Sequence, residues 1–328
     1  MIRGMIRSIA YSTLASLVLA VVGVPPASAA VPAAERGAEP VLGEVVHQAA
    51  AVTPEQRRTV LDYWTPERMA AAAPRALSLG DLPAPLPPLF DRPRSPETAD
   101  DTATVHRWTD GGRVAATTGR VYLTIDGADY TCTASVITAE NRDTVLTAGH
   151  CLKDKTGSWA ENWIFVPGHT DGREPYGRYS ARDMLVSPRW SRQGDDSYDF
   201  GLVVLNTDPL GRHVADRTGT QEVSFDGRIA SHVHAFGYPS SPPYSGEHLH
   251  YCAGPTTPDR QGTHGSGMRC AMTQGSSGGP WFADFDPDTG TGTITSLISF
   301  KYADDSEIQY GPRLGEEAER VYEAAQTL

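Results

Sequence analysis

Short apolar runs punctuated by turn residues limit what this chain can fold into. From about Val105 onward, segments 120–125, 132–137, 144–146, 163–166, 202–205, 232–236 and 293–300 are rich in Val, Ile, Thr and Tyr, with Gly, Asp, Asn and Pro between them. Many short strands at turn-marked intervals indicate an all-β fold, a sandwich or a pair of barrels. The last segment changes period. Leu314, Ala318, Val321, Tyr322 and Ala325 recur at helical spacing and predict a C-terminal amphipathic helix.

The chain has 328 residues, enough for two ordinary domains or one double domain with additions. Its first 29 residues have the parts of a secretory signal peptide. Arg3 and Arg7 supply the positive start, an apolar stretch runs from Ile9 to Val24, and Ala27-Ser28-Ala29 suits cleavage after Ala29. The stretch is short for a membrane span and a small-residue cleavage site follows it. Secretion is therefore expected, with no membrane attachment after cleavage. Residues 30–104 are dominated by Ala and Pro and show no strand pattern. Thr53-Pro54-Glu55 and Thr65-Pro66-Glu67 each offer an N-cap, a Pro at the first helical position and an acid in the first turn, which predicts two short helices. Between Leu82 and Pro96 the chain reads as a Pro-rich linker, extended or disordered. The expected layout is 1–29 signal peptide, 30–104 pro-segment and linker, and 105–328 main domain. A plain disordered stalk is the alternative for the middle segment.

Export means an oxidising destination, so the four cysteines are expected to be bridged; the Cys-x-x-Cys spacing of a zinc site is missing. Several pairings are open. Sequence order favours Cys132 with Cys151 and Cys252 with Cys270, each closing a loop of similar length. A formal net charge of -12 without any basic run argues against nucleic acid as a partner.

Three stretches carry chemistry: Leu146-Thr147-Ala148-Gly149-His150-Cys151, then Ser197-Tyr198-Asp199-Phe200-Gly201, then Gln274-Gly275-Ser276-Ser277-Gly278-Gly279-Pro280. A serine hydroxyl becomes a useful nucleophile when a neutral imidazole takes its proton and a carboxylate fixes that imidazole's tautomer. It also needs donors aimed at the oxygen that turns negative. Ser277 as nucleophile, His150 as general base and Asp199 as orienting acid fill these roles. The N–H groups of Gly275 and Ser277 are the natural oxyanion donors, and Gly278 and Gly279 are expected to leave room for substrate. Asp199 is preferred over Asp195 and Asp196 because it abuts the apolar run 202–205, whereas the other two follow Gly194 in a polar loop. Each motif alone fits an ordinary loop, an exposed histidine or a strand-end turn; their joint occurrence in this order does not.

These stretches resemble the histidine, aspartate and serine motifs of the trypsin-like, chymotrypsin-fold serine peptidases, over roughly residues 113–328. The secreted bacterial branch is most similar, and Phe236-Gly237-Tyr238-Pro239 resembles a strand-end motif of its glutamyl-endopeptidase-like members. The resemblance implies two antiparallel β-barrels with the active site between them, a Cys132–Cys151 bridge beside the histidine, polypeptide substrates and no cofactor. It places the pocket for the residue before the scissile bond at Ala271, Met272 and Thr273, with Ile298, Ser299, Phe300 and Lys301 opposite and Ser299 near Asp199. Ala271 stands where the trypsin branch carries Asp, which disfavours cleavage after Lys or Arg. Ile298 stands where the glutamyl branch usually carries His, so Glu specificity is not supported and an apolar or small preference is expected. Ser276 replaces the Asp that animal members pair with a new N-terminal amine. The expected substitute for that activation switch is a cleavable pro-segment within 30–104 that assists folding or blocks the cleft.

Gly275-Ser276-Ser277-Gly278-Gly279 also fits the nucleophile elbow of esterases, but that fold places its histidine after the serine, and here none follows His264. A subtilisin-like order would use Asp143 ahead of His150, without the alternating helices that fold requires. A catalytically inactive binding module of the same fold is the non-enzyme alternative. His232 and His234, and His248 and His250, alternate as strand-face pairs able to chelate; without supporting acidic spacing no metal is expected. A monomer is expected for a protein of this size and kind.

Overall fold

The turn Asp126-Gly127 sets the register of the first sheet. Both residues have positive φ, 50° and 78°. Glycine takes that conformation freely and Asp tolerates it, and it matches the twist of a two-residue hairpin. The turn joins Thr118–Ile125 to Ala128–Val136. Pairing continues through Thr144–Thr147, Gly201–Leu205, Tyr179–Val186 and Glu161–Pro167, and the last returns to Thr118–Ile125. The result is a closed six-stranded antiparallel barrel. The computed structural model describes residues 41–42, 45–79 and 104–328. The signal peptide expected at 1–29 and the linker expected at 82–96 lie outside the described residues. Among the described residues no helix is long and apolar enough to cross a membrane.

Side chains alternate across the barrel wall. Val121, Leu123 and Ile125 join the main core with Leu146, Val203 and Leu205. Tyr122, between them, joins Ile164 and Val166 in a separate cluster with Trp64, Met69 and Ala72. Trp64, 1% exposed, comes from the segment expected to be a pro-segment. Both helices expected there are present, Pro54–Tyr63 and Pro66–Ala71, with Thr53 and Thr65 as N-caps and a capping box closed by Gln56. These helices cover the outer face of the barrel there, and Thr118–Ile125 is buried along its whole length.

The absence of strands expected for 30–104 is corrected. Val45–Ala49 pairs with Tyr179–Val186 at the edge of the first sheet, and Val41–Leu42 folds back on it. Ala73–Pro74 pairs with Ala128–Val136, and Leu77–Leu79 with Phe300–Tyr302. Strands this short have no period of their own; the strand that receives them supplies the hydrogen-bond pattern.

The second sheet runs in the order Glu222–Val223, Thr291–Leu297, Pro280–Asp286, His232–Gly237, His250–Pro258, Ser266–Arg269, Asp305–Gly311, Phe300–Tyr302 and Leu77–Leu79. Val233, Ala235, Met268, Met272, Trp281 and Ile298 pack around the Cys252–Cys270 bridge. The other bridge joins Cys132 to Cys151. The single strand expected at 293–300 is two strands, broken at Ile298-Ser299. There the Ile298 carbonyl accepts from Gly278 N–H at 2.7 Å and Ile298 N–H donates to the Gly279 carbonyl at 2.8 Å. The C-terminal helix, Glu316–Gln326, buries Ala318, Val321 and Ala325 and lies against Gly201–Leu205 and Tyr179–Val186. Glu316, Glu317 and Glu319 in its first turn suit the positive end of the helix dipole.

Candidate active site

Thr144–Thr147 ends in a short 3-10 turn, Gly149–Cys151, which carries His150 into the interior. Trp163 and Trp190 pin the turn by donating to the carbonyls of Cys151 and Lys153, at 3.1 and 3.0 Å. Gly149 sits in a tight space: a Cβ there would stand 3.1 Å from Asp199 Oδ1 and from the Trp190 ring. His150 is 1% exposed and Asp199 is fully buried.

Asp199 lies just ahead of Gly201–Leu205, the strand beside the one that leads to His150. Its Oδ1 accepts the backbone N–H of His150 at 2.7 Å, its Oδ2 meets His150 Nδ1 at 2.8 Å, and Ser299 Oγ also donates to Oδ2. Burial alone would raise this carboxyl. The attraction of the His150 ring in its protonated form and the bonds from His150 and Ser299 outweigh burial and hold it below the usual carboxylate range. A carboxylate bound to Nδ1–H leaves the lone pair on Nε2, the tautomer that can accept a proton. Nε2 is buried without a hydrogen-bond partner among the described residues. The rival acids are engaged elsewhere. Asp195 accepts the N–H of Ser197, and Asp196 pairs with Lys155 at 2.7 Å, drawn out of the solvated loop expected for it.

Ser277 lies two residues after Gly275, whose φ of 95° is a conformation that favours glycine. The Gly275 N–H donates to the carbonyl of Arg75 at 3.3 Å, and the hydroxyl of Ser277 donates to the same oxygen at 3.4 Å. Thr133 of the first barrel fastens the loop: its hydroxyl donates to Gly275 O at 3.0 Å, and its N–H to Ser277 O at 2.8 Å. Ser276 donates to Thr273 O. The room expected for substrate at Gly278 and Gly279 is instead filled by the protein's own backbone. A Cβ would stand 2.2 Å from Thr133 O at Gly278 and 1.9 Å from Phe236 O at Gly279. These glycines let the serine loop close onto the first barrel and the second sheet.

All seven residues expected to form the pocket line one cavity of about 450 Å³ beside Ser277: Ala271, Met272, Thr273, Ile298, Ser299, Phe300 and Lys301. One contribution escaped sequence reasoning. Ala76, Leu77 and Ser78 line the same cavity. Lys301 sends its amine to the carbonyls of Cys270 and Ser306, and burial pulls it down to about 8 against the opposing pull of Asp305 and Glu307. The paired histidines serve packing and local bonding: His234 lies against Phe285 and Tyr251, and His250 Nδ1 meets the carbonyl of His248. Cys132, His150 and Cys151 bring potential metal donors together, but the sulfurs are joined to each other and His150 Nδ1 is held by Asp199.

The profile of the Trypsin family matches residues 110–311. Among solved structures, protease Anisep from Arthrobacter nicotinovorans is 35% identical, with a TM-score of 0.61 over 65% of this chain and 96% of that one. The thermostable serine protease AL20 from an extremophilic microorganism is 33% identical, with a TM-score of 0.62 over 66% of this chain and 99% of that one. A Glu endopeptidase shares the fold at 19% identity and a TM-score of 0.55, over 70% of this chain and 99% of that one. A curated relative, the extracellular metalloprotease of Bacillus subtilis (strain 168), is 35% identical over 80 residues, so the match spans 25% of that protein and 24% of this chain.

Proposed function

The chain belongs to the trypsin family of serine endopeptidases, and on that basis we propose that it is a secreted enzyme that cleaves polypeptides through an acyl-enzyme on Ser277. His150 Nε2 takes the proton of the Ser277 hydroxyl as Oγ attacks the substrate carbonyl carbon. It then gives that proton to the leaving amine as the C–N bond breaks. Water repeats the sequence to release the acid. Asp199 holds the ring by Nδ1 and steadies its positive charge. The N–H groups of Gly275 and Ser277 stabilise the oxyanion. The observation that carries this reading is the double hold of Asp199 on His150, next to a Gly275 N–H that already binds a carbonyl oxygen shared with the Ser277 hydroxyl.

Residues 1–29 then act as the export signal, and the two disulfides suit the oxidising destination. Residues 30–104 act as a cleavable pro-segment. Ser276 carries no charge for a new amine to pair with, so activation proceeds by removing this segment rather than by inserting a terminus. The pocket favours apolar or small side chains, and the Lys301 amine in its wall adds a charge barrier against Lys and Arg.

Labelling with an organophosphonate tests the proposal. An adduct at Ser277, abolished in Ser277→Ala, is expected once the upstream segment is removed. No adduct and no peptide hydrolysis in any form of the protein would make it a binding module instead.

A further inference from the structure

Residues 73–79 run through the cleft. Ala73–Pro74 pairs in parallel with Tyr130 and Thr131, and Arg75 N–H donates to the Thr131 carbonyl at 2.9 Å. Leu77–Leu79 pairs in parallel with Phe300–Tyr302, and the Leu79 carbonyl accepts from Ala303 N–H at 3.0 Å. Between these pairings the carbonyl of Arg75 sits on Gly275 N–H and Ser277 Oγ. The stretch thus binds as a peptide ligand would, by main-chain pairing on both sides of the serine.

Its polarity is wrong for cleavage. If Ser277 Oγ attacked Arg75, the acyl half would be Arg75 and the residues before it, and the pocket beside Ser277 should hold the Arg75 side chain. That cavity is lined instead by Ala76, Leu77 and Ser78, which belong to the leaving half. The Arg75 side chain points to the histidine side. Its Nε donates to the His150 carbonyl at 3.3 Å, its guanidinium pairs with Asp154 at 2.8 Å, and it lies over the Tyr130 ring. The nitrogen that would need a proton from His150 Nε2 is that of Ala76, on the pocket side. Attack would form the Oγ–C bond, but the C–N bond would break only if that misplaced amine were protonated.

We propose that residues 73–79 are a reverse-threaded inhibitory strand, and that the severed segment 45–79 remains a reversible, uncleaved, competitive ligand of the same cleft. This rests on Ser277 being the nucleophile. The segment is held well away from the cleft too, by the pairing of Val45–Ala49 on Tyr179–Val186 and by the burial of Trp64. Cutting the chain downstream of residue 79 therefore does not by itself open the site. Activation requires the segment to dissociate or to be digested.

The test uses the full chain with a site for an unrelated sequence-specific protease placed within 80–103. After that cut, the 45–79 fragment is expected to stay bound. Phosphonate labelling of Ser277 should be slow and should quicken on dilution, and mass spectrometry should find the Arg75–Ala76 bond intact. Arg75→Ala, which removes the Asp154 pair and the bond to the His150 carbonyl, should speed labelling about tenfold at a fixed protein concentration. A synthetic 45–79 peptide added back to the diluted protein should raise KM without lowering kcat. Immediate labelling that ignores dilution, or cleavage between Arg75 and Ala76, would overturn the inhibitory strand and leave the enzyme reading standing. No labelling at any dilution would overturn the enzyme reading, and the strand's inhibitory role with it.

Discussion

Asp199 binds His150 twice, through the backbone N–H at 2.7 Å and through ring Nδ1 at 2.8 Å, so one carboxylate fixes both the position of the histidine and its tautomer. Asp199→Asn keeps the shape but offers an amide where a carboxylate is needed. It is expected to lower kcat by about 10⁴-fold at neutral pH, as seen where such a change forces the wrong tautomer. Ser299→Ala removes one of the three donors and should cost far less, roughly tenfold in kcat, with KM little changed. Steady-state kinetics on a peptide substrate check both.

The same carboxyl gives a signed pH effect. Its folded pKa lies below the unfolded value, so its contribution to stability is complete above about pH 4 and is lost as pH falls through the lower folded pKa. Urea melts between pH 2 and 6 on the wild type and Asp199→Asn, about one unit apart, measure it. The variant should lack that part of the acid-side loss.

Gly279→Ala places a Cβ on the Phe236 carbonyl, a backbone atom that cannot swing aside. It is expected to cost ~3 kcal/mol or more and to lower the melting temperature by roughly 10 °C, or to prevent recovery of folded protein. A melting temperature unchanged by this substitution would mean that the serine loop does not close on the second sheet as described.

Lys301 makes specificity depend on pH. Below about 8 its amine is charged and opposes a basic side chain in the pocket; above that value the opposition fades. The ratio of kcat/KM for an Ala substrate over an Arg substrate should fall as pH rises from 7 to 9.5, about one decade at most. Lys301→Met should flatten that trend. Dominant cleavage after Arg, Lys or Glu at neutral pH would refute the small or apolar preference.

His150, Ser277 and Asp199 could be read from the chain because each sits in a short stretch whose neighbours are dictated by the chemistry. Gly149 sits close against Asp199 and Trp190, and Gly275 combines a positive φ with an N–H that donates to the carbonyl of Arg75. The helices at Pro54–Tyr63, Pro66–Ala71 and Glu316–Gln326 were legible from caps and period, which are local. The strands at Val45–Ala49 and Leu77–Leu79 were not, because the edge that receives them decides their conformation. The same reason hid Arg75. Nothing in its neighbourhood marks a carbonyl destined for Gly275, since the partner lies 200 residues along the chain. At Gly278 and Gly279 a sequence shows that space is needed, and only the packed sheets show that Thr133 and Phe236 take it.

Trapping the acyl-enzyme tests the role of Ser277 most directly. Protein freed of residues 45–79 is mixed with an activated ester of a small acyl group, quenched in acid within milliseconds to seconds, digested and weighed. The acyl mass should be found on the peptide that carries Ser277, absent in Ser277→Ala, and formed at a rate that collapses in His150→Ala. Acyl groups on any other residue, or undiminished hydrolysis by Ser277→Ala, would contradict the mechanism.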